Sequence, residues 1–149
     1  MAKQPPNPFP HDTALVTAIA GVQYIIKDDH RNGGNGRKSQ WVIPEPAEVR
    51  CFEQSHQSNW INNNTAWGLH PPAPPPQVLG RSVRGADLKI ARFLSSASGA
   101  TWHGFPADYR RKKQDRPIIT ILVLWMRAGY IRKHDISRVR SGKRCSLSS

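Results

Sequence analysis

The chain has 149 residues, which suits one domain with an extension, and its formal net charge is +12. The charge is uneven, because residues 1–80 balance six lysines and arginines with six acidic residues, whereas residues 81–149 have sixteen against four. The most apolar run, Ile118 to Met126, has nine residues, and a membrane span needs about 20. The composition therefore excludes a helical membrane span and favours a protein that meets a polyanion.

The first half of the chain predicts a neutral, proline-rich region with one or two helices. Residues 1–12 contain four prolines and predict an extended arm. Apolar residues at helical spacing predict a helix over 13–26, and the sequence of 41–43 predicts a short strand that ends at a proline. A helix is expected over 46–57, because Pro46 opens it and an acidic residue lies in its first turn.

Residues 58–80 are expected to form a proline-rich linker. Five of the residues between 71 and 76 are prolines, which favours a polyproline-type segment. The change in charge coincides with this segment, so we place a boundary near Gly80. Residues 1–80 would then be an adaptor or cover, and residues 81–149 a basic helical nucleic-acid-binding region. The tryptophans and prolines of 58–80 also offer a docking site for a protein partner.

The second half predicts helices joined by irregular segments. An amphipathic helix is expected over 86–96, an irregular aromatic segment over 96–109, and helices over 117–128 and 133–140. A strand is the alternative for 117–128, because this segment is rich in β-branched residues. The expected fold class is therefore a helix-rich α+β domain with long irregular proline-rich connections, with an all-α fold as the alternative. The main core is expected within 81–140. Its predicted buried members are Leu88, Phe93, Leu94, Trp102, Phe105, Ile118, Ile121, Leu122 and Trp125.

Two basic clusters are the strongest functional signal. Arginine and lysine side chains bind phosphates, and nearby aromatic faces stack on bases, a combination that favours RNA or a single strand. Residues 117–140 also have the order of a helix-turn-helix unit, which would bind duplex DNA. The predicted nucleic-acid-binding residues are Arg110, Arg111, Lys112, Lys113 and Arg116 in the first cluster, and Arg132, Lys133, Arg138, Arg140, Lys143 and Arg144 in the second.

A catalytic alternative centres on the segment that precedes the first basic cluster. His103 could act as an acid or base, Asp108 could orient it, and Tyr109 could donate a proton. With an arginine on the scissile phosphate, these residues would form a small metal-independent ribonuclease of toxin type. The leading hypothesis is instead a non-enzymatic nucleic-acid-binding protein. A docking subunit of a larger protein or ribonucleoprotein assembly is the third alternative.

No metal or cofactor is expected from the sequence. The two cysteines, Cys51 and Cys145, have no metal-ligand spacing and predict free thiols in a reducing compartment. No phosphate-binding glycine loop or hydrolase motif is present. Without the pattern of a secretory signal at the N-terminus, we expect a cytoplasmic protein.

Overall fold

The computed structural model describes residues 12–31 and 36–148, and strands are the more numerous regular elements there. Two short 3-10 helices, at Asp28–His30 and Lys113–Asp115, complete the regular structure of these residues. The strands are β1 (Thr13–Val16), β2 (Gln23–Ile26), β3 (Gln40–Trp41), β4 (Ile61–Asn62), β5 (Thr65–Gly68), β6 (Gly80–Arg81), β7 (Asp87–Leu88), β8 (Ile90–Ser95) and β9 (Thr101–Ala107). The α-helices are α1 (Glu45–Gln57), α2 (Ile119–Arg127) and α3 (Lys133–Arg140). The fold is therefore mixed α/β and rich in sheet, so the expected helix-rich α+β domain and its all-α alternative are both wrong.

The strands form two sheets. The larger has six strands in the order β1-β2-β9-β8-β5-β4, and the smaller has three in the order β3-β6-β7. All neighbouring strands are antiparallel except β2 and β9, which pair in parallel. Strands from both sides of Gly80 are hydrogen-bonded within the six-stranded sheet.

The segment predicted as an amphipathic helix over 86–96 contains β7 and β8 instead. β8 lies inside the large sheet between β5 and β9, and both of its faces are partly covered. Ile90, Ala91 and Phe93 are all buried, so the apolar residues do not alternate strictly with polar ones. A strand covered on both faces has the near-continuous apolar pattern that also fits a buried helix.

The helix predicted over 13–26 is also wrong, because this segment is the hairpin of β1 and β2. The Thr17 hydroxyl donates to the carbonyl of Val22 at 3.1 Å, which closes the turn. Gly21 has a φ of +74° there, a conformation that L side chains rarely adopt. Tyr24 and Ile26 are buried on one face of β2, the period of two that a strand requires.

The segment expected to be irregular over 96–109 contains β9, the longest strand of the described residues. Gly104 is required there, since a Cβ at this position would lie 2.2 Å from Cδ1 of Phe93. Pro106 lies beyond His103, the last β9 residue that pairs with β2, so its missing N–H leaves that ladder intact. Glycine and proline in the strand concealed it from sequence patterns.

The helix predictions based on end signals are confirmed. α1 begins beside Pro46, as predicted, and ends at Gln57. α2 and α3 agree with the helices predicted over 117–128 and 133–140 to within two residues. The short strand predicted over 41–43 is confirmed in part by β3.

Two hydrophobic clusters form the core. One lies between α1 and the sheet and centres on Phe52, whose ring lies 4.9 Å from Tyr24 and 5.4 Å from Phe93. The other packs α2 and α3 against the remaining part of the sheet and centres on Trp125. The expectation that the main core lies within 81–140 is therefore incomplete. Of the predicted core residues, those buried are Leu88, Phe93, Trp102, Ile121, Leu122 and Trp125, whereas Leu94, Phe105 and Ile118 are half-buried.

Residues 58–80 are only partly a linker. They contain β4 and β5, and Trp60, Trp67 and Leu69 are buried in the core. These tryptophans therefore support the fold and are not displayed to a partner, while prolines 72, 74 and 75 are exposed. The arm predicted for residues 1–12 lies outside the described residues except for Asp12. Among the described helices, none combines the length and the apolar character that a membrane crossing requires.

Candidate functional site: a basic surface and the pocket beside it

The loop that carries the first basic cluster is held at its base by Asp115. One carboxylate oxygen accepts the backbone N–H of Asp108 at 3.0 Å, and the other accepts Nη1 of Arg92 at 3.3 Å. Burial raises the pKa of Asp115, and these two donors oppose that shift. Residues 110–113 lie between Asp108 and Asp115, the two residues joined by the backbone N–H contact, and all four of their basic side chains are exposed.

Arg116 joins this loop to the C-terminal segment. Its Nε donates to the carbonyl of Tyr109 at 2.7 Å, and its Nη1 donates to the carbonyl of Arg140 at 3.1 Å. The Tyr109 hydroxyl adds a second link by donating to the carbonyl of Lys143 at 2.9 Å. The guanidinium of Arg116 is therefore engaged by main-chain oxygens, and it holds two basic segments side by side.

These contacts bring the main chains of the two basic clusters together, so most of the predicted phosphate-binding residues lie in adjacent segments. Arg138, Lys143 and Arg144 line a shallow depression at the end of α3. We call the exposed cations of residues 110–113 and 138–144 the basic surface. Its members are Arg110, Arg111, Lys112, Lys113, Arg138, Arg140, Lys143 and Arg144.

Arg132 and Lys133 lie apart from the basic surface. Arg132 is the N-cap residue of α3 and Lys133 is its first residue, whereas Arg140 is its last. A helix rises about 1.5 Å per residue, so roughly 10 Å separates the two ends. Both side chains are exposed, and the Arg132 backbone N–H donates to Asp135 in the cap of the helix at 2.9 Å.

A pocket of about 490 Å³ opens beside the basic surface and shares Arg111 and Lys112 with it. Its floor is the face of the large sheet opposite α1, where His103 of β9 pairs with Leu94 of β8. Phe105, two residues along the same strand, lies on the same face. The pocket walls come from the segment before β3, the turn between β6 and β7, and the loop after β9.

Two histidines line this pocket, and both are uncharged at neutral pH. Burial lowers the pKa of His30, although its Nδ1 donates to the carbonyl of Ser39 at 2.8 Å. Burial also lowers the pKa of His103, and the positive charge of Lys27 acts in the same direction. The ring of His30 stacks on Phe105 with the ring centroids 5.5 Å apart.

The three residues of the catalytic alternative are not brought to one place. His103 and Asp108 both line the pocket. Tyr109 is buried on the other side of the loop, where its hydroxyl contacts the Lys143 carbonyl and the Cys145 thiol. Burial raises the pKa of Tyr109, so its hydroxyl holds its proton at neutral pH.

Sequence reasoning missed His30, Ser39 and the role of Phe105. Phe105 was expected in the core but is half-buried in the pocket wall. His30 lies in a polar, glycine-rich segment that sequence patterns identify only as a turn. No local sequence signal places that segment against β9, because its position depends on packing between distant parts of the chain.

Fewer aromatic rings are therefore accessible beside the basic clusters than the sequence predicted. Trp102 and Tyr109 are both buried, with 4% and 3% of their surfaces exposed, so they offer no stacking face to a base. Phe105 is the remaining aromatic of the three, and it faces the pocket.

Neither cysteine is in a disulfide, and Cys51 is a buried residue of α1. Burial raises the pKa of the Cys51 thiol, so it is an unreactive core group. In residues 12–31 and 36–148, no cluster of His, Cys, Asp and Glu side chains has an arrangement that could hold a metal ion.

No protein-family model matches this chain, and no curated protein or solved structure matches it significantly. Its function is therefore inferred from the basic surface and the pocket themselves.

Proposed function

We propose that this protein binds nucleic acid through the basic surface, with RNA or a single strand favoured over a duplex. The observation that supports this most directly is the double contact of Arg116 with the carbonyls of Tyr109 and Arg140. It joins two short basic segments into one face with eight exposed cations. Separated charge runs often serve only solubility, whereas a contiguous basic face provides the electrostatic footprint of a nucleic-acid-binding protein.

The shape of the surface favours a flexible ligand. The cations lie on a loop, on the last turn of a helix that has eight residues, and on the segment that follows this helix. A single strand can follow such an uneven face, because its backbone bends easily between contacts. Arg138, Lys143 and Arg144 line one depression, and Lys143 lies next to the loop through its contact with Tyr109, so a strand bound to the loop would also contact the second segment.

Neutralising the loop should flatten the salt dependence of binding. Replacing residues 110–113 with glutamine removes four phosphate contacts, and each contact on a single strand adds about 0.7 to the logarithmic salt slope. We expect the slope to fall by about 3 and the affinity to fall for all sequences alike. Fluorescence anisotropy with a labelled RNA oligonucleotide, repeated over a range of salt concentrations, measures both effects.

A variant with the same loss of charge elsewhere is the control. It replaces four exposed arginines outside the basic surface with glutamine, namely Arg50, Arg81, Arg84 and Arg127. Its slope should change much less than that of the loop variant. Equal slopes in the two folded variants would contradict a site on the loop, and no binding by the natural chain at low salt would end the proposal.

A ribonuclease is the second candidate, because His103 and Asp108 line one pocket next to Arg111. The natural chain would then shorten labelled RNA during the binding measurement, and His103→Ala would abolish cleavage while keeping binding. Gel electrophoresis of the same samples separates the candidates. If the RNA stays intact after long incubation with the natural chain, the ribonuclease candidate is excluded and only the binding function remains.

A further inference from the structure

We infer that the pocket beside the basic surface is a nucleoside-phosphate site that holds one nucleotide of the bound strand. This inference rests on the proposed function, since the nucleotide is taken to belong to a nucleic acid on the basic surface. Arg111 and Lys112 belong both to the surface and to the pocket, so a strand on the surface passes the pocket mouth.

The pocket has the size of a small-ligand site. Its volume of about 490 Å³ lies within the roughly 300–1,000 Å³ of typical ligand pockets. It is lined by both apolar and charged groups, which is what a ligand with a flat ring system and a phosphate requires. A site for phosphate alone would need no such apolar wall.

The base side of the site is formed by Phe105, Leu94 and Val83. His30 stacks on Phe105 with an angle of 18° between the rings, and His30 is the more deeply buried of the two. Phe105 is therefore the ring that a base can reach, and His30 fixes its orientation. Stacking on an aromatic side chain tolerates any base, because every base has a π-face.

The phosphate side is formed by cations that approach from two directions. Lys38 comes from the segment before β3, and Arg111 and Lys112 come from the loop after β9. The two carboxylates of the lining only partly offset this charge. Asp115 is paired with Arg92 at 3.3 Å, and Asp108 lies 4.0 Å from Arg111. The lining contains four lysines and arginines against these two carboxylates, so its net charge is positive. The positive lining suits the phosphate of a nucleotide, which carries one negative charge within a strand and about two in the free monophosphate.

The test is calorimetric titration of the full chain at low salt with adenosine monophosphate, adenosine and inorganic phosphate as separate probes. Adenosine monophosphate should bind tighter than either of the other two, because only it meets both sides of the pocket. Equal affinity for inorganic phosphate and adenosine monophosphate would overturn the inference, since the apolar wall would then contribute nothing.

Two variants with the same charge change locate the binding. Val83 lies on the pocket rim with 54% of its surface exposed, whereas Val16 lies on β1, outside the pocket, with 86% exposed. Val83→Glu should weaken the binding of adenosine monophosphate about tenfold, because it places a charged carboxylate on the apolar side where the base packs and adds negative charge to the pocket. Val16→Glu should leave it unchanged, and equal effects of both substitutions would overturn the inference.

A third variant tests the aromatic wall. Phe105→Leu keeps an apolar side chain but removes the ring, so binding of adenosine monophosphate should fall at least about fivefold while binding of inorganic phosphate stays constant. Circular dichroism confirms that each variant is folded. Unchanged nucleotide binding in folded Phe105→Leu would overturn the placement of the base.

These results separate the two proposals. Salt-dependent RNA binding without any binding of adenosine monophosphate would overturn the pocket inference and leave the proposed function intact. Binding of adenosine monophosphate that Val83→Glu weakens, without binding of RNA, would instead overturn the proposed function and the claim that the nucleotide belongs to a strand.

Discussion

Trp125→Ala is expected to cost about 3–5 kcal/mol of the free energy of unfolding, because it leaves a large cavity in the core. Trp125 is fully buried on α2, and its ring lies 5.8 Å from that of Trp60 in an edge-to-face contact. Domains of this size are commonly stable by about 5–15 kcal/mol, so the substitution should remove a large part of the stability and bring a domain near the low end of this range close to unfolding. Urea denaturation followed by circular dichroism measures the loss.

Two further substitutions identify the cause of that loss. Among the described residues, the indole N–H of Trp125 has no acceptor, so Trp125→Phe gives up ring volume but no hydrogen bond and should cost less than Trp125→Ala. Ile119→Ala lies on the same helix at a position 48% exposed, and it should change stability by no more than about 0.5 kcal/mol. A normal urea midpoint for Trp125→Ala would contradict its place at the centre of the core.

The helices could be predicted because their signals are local. Pro46 and Glu48 indicated the start of α1, and Gly129 follows the end of α2 with a φ of +85°. Capping and periodicity depend on residues within a few positions of each other, which a single sequence displays directly.

Strands such as β2 and β8 could not be predicted in the same way, because each has one partner that is distant in the chain. β2 pairs with β9, so Tyr24 lies opposite Trp102. The apolar residues of β2 and β8 fit a helical spacing as well as a strand, and only these pairings decide between the two. Local propensity was overridden by tertiary context.

The candidate site likewise has one part that could be predicted from the sequence and another that could not. The exposure of residues 110–113 follows from composition, since four consecutive charged side chains are rarely buried. Their proximity to Lys143 depends on Arg116, whose two carbonyl acceptors lie in different segments. The pocket depends on the packing of His30 against Phe105, and no spacing rule connects those two positions.

A buried charged network under α1 gives the second large expected effect. The Glu48 side chain is fully buried and accepts hydrogen bonds from Tyr24 and Arg31. The Arg31 Nη2 lies 2.7 Å from Oε1 of Glu48, and its Nη1 donates to the carbonyl of Ile43 at 2.8 Å. Arg31 therefore ties the segment before β3 to α1 and compensates a charge that has no access to water.

Arg31→Met is expected to destabilise the protein by about 3–5 kcal/mol at neutral pH, because it leaves the Glu48 carboxylate buried without its cation. Burial already raises the pKa of Glu48, and the hydrogen bonds from Tyr24 and Arg31 oppose that shift. Removing Arg31 should raise this pKa further. Urea denaturation of the variant and the natural chain, at matched pH values from acid to neutral, measures the difference.

The cost of Arg31→Met should shrink as the pH falls. A carboxyl whose pKa is higher in the folded state than in the unfolded state binds its proton preferentially when folded. This proton binding stabilises the folded state. The stabilisation is complete at pH values below the ordinary glutamate pKa, and it is lost as the pH rises through the raised pKa of Glu48. The double variant Arg31→Met/Glu48→Gln replaces the buried Glu48 carboxylate with a neutral amide. It should therefore recover part of the stability and lose this pH dependence. A cost of Arg31→Met that stays constant with pH would mean that lost packing against Trp41, and not the buried carboxylate, causes the destabilisation.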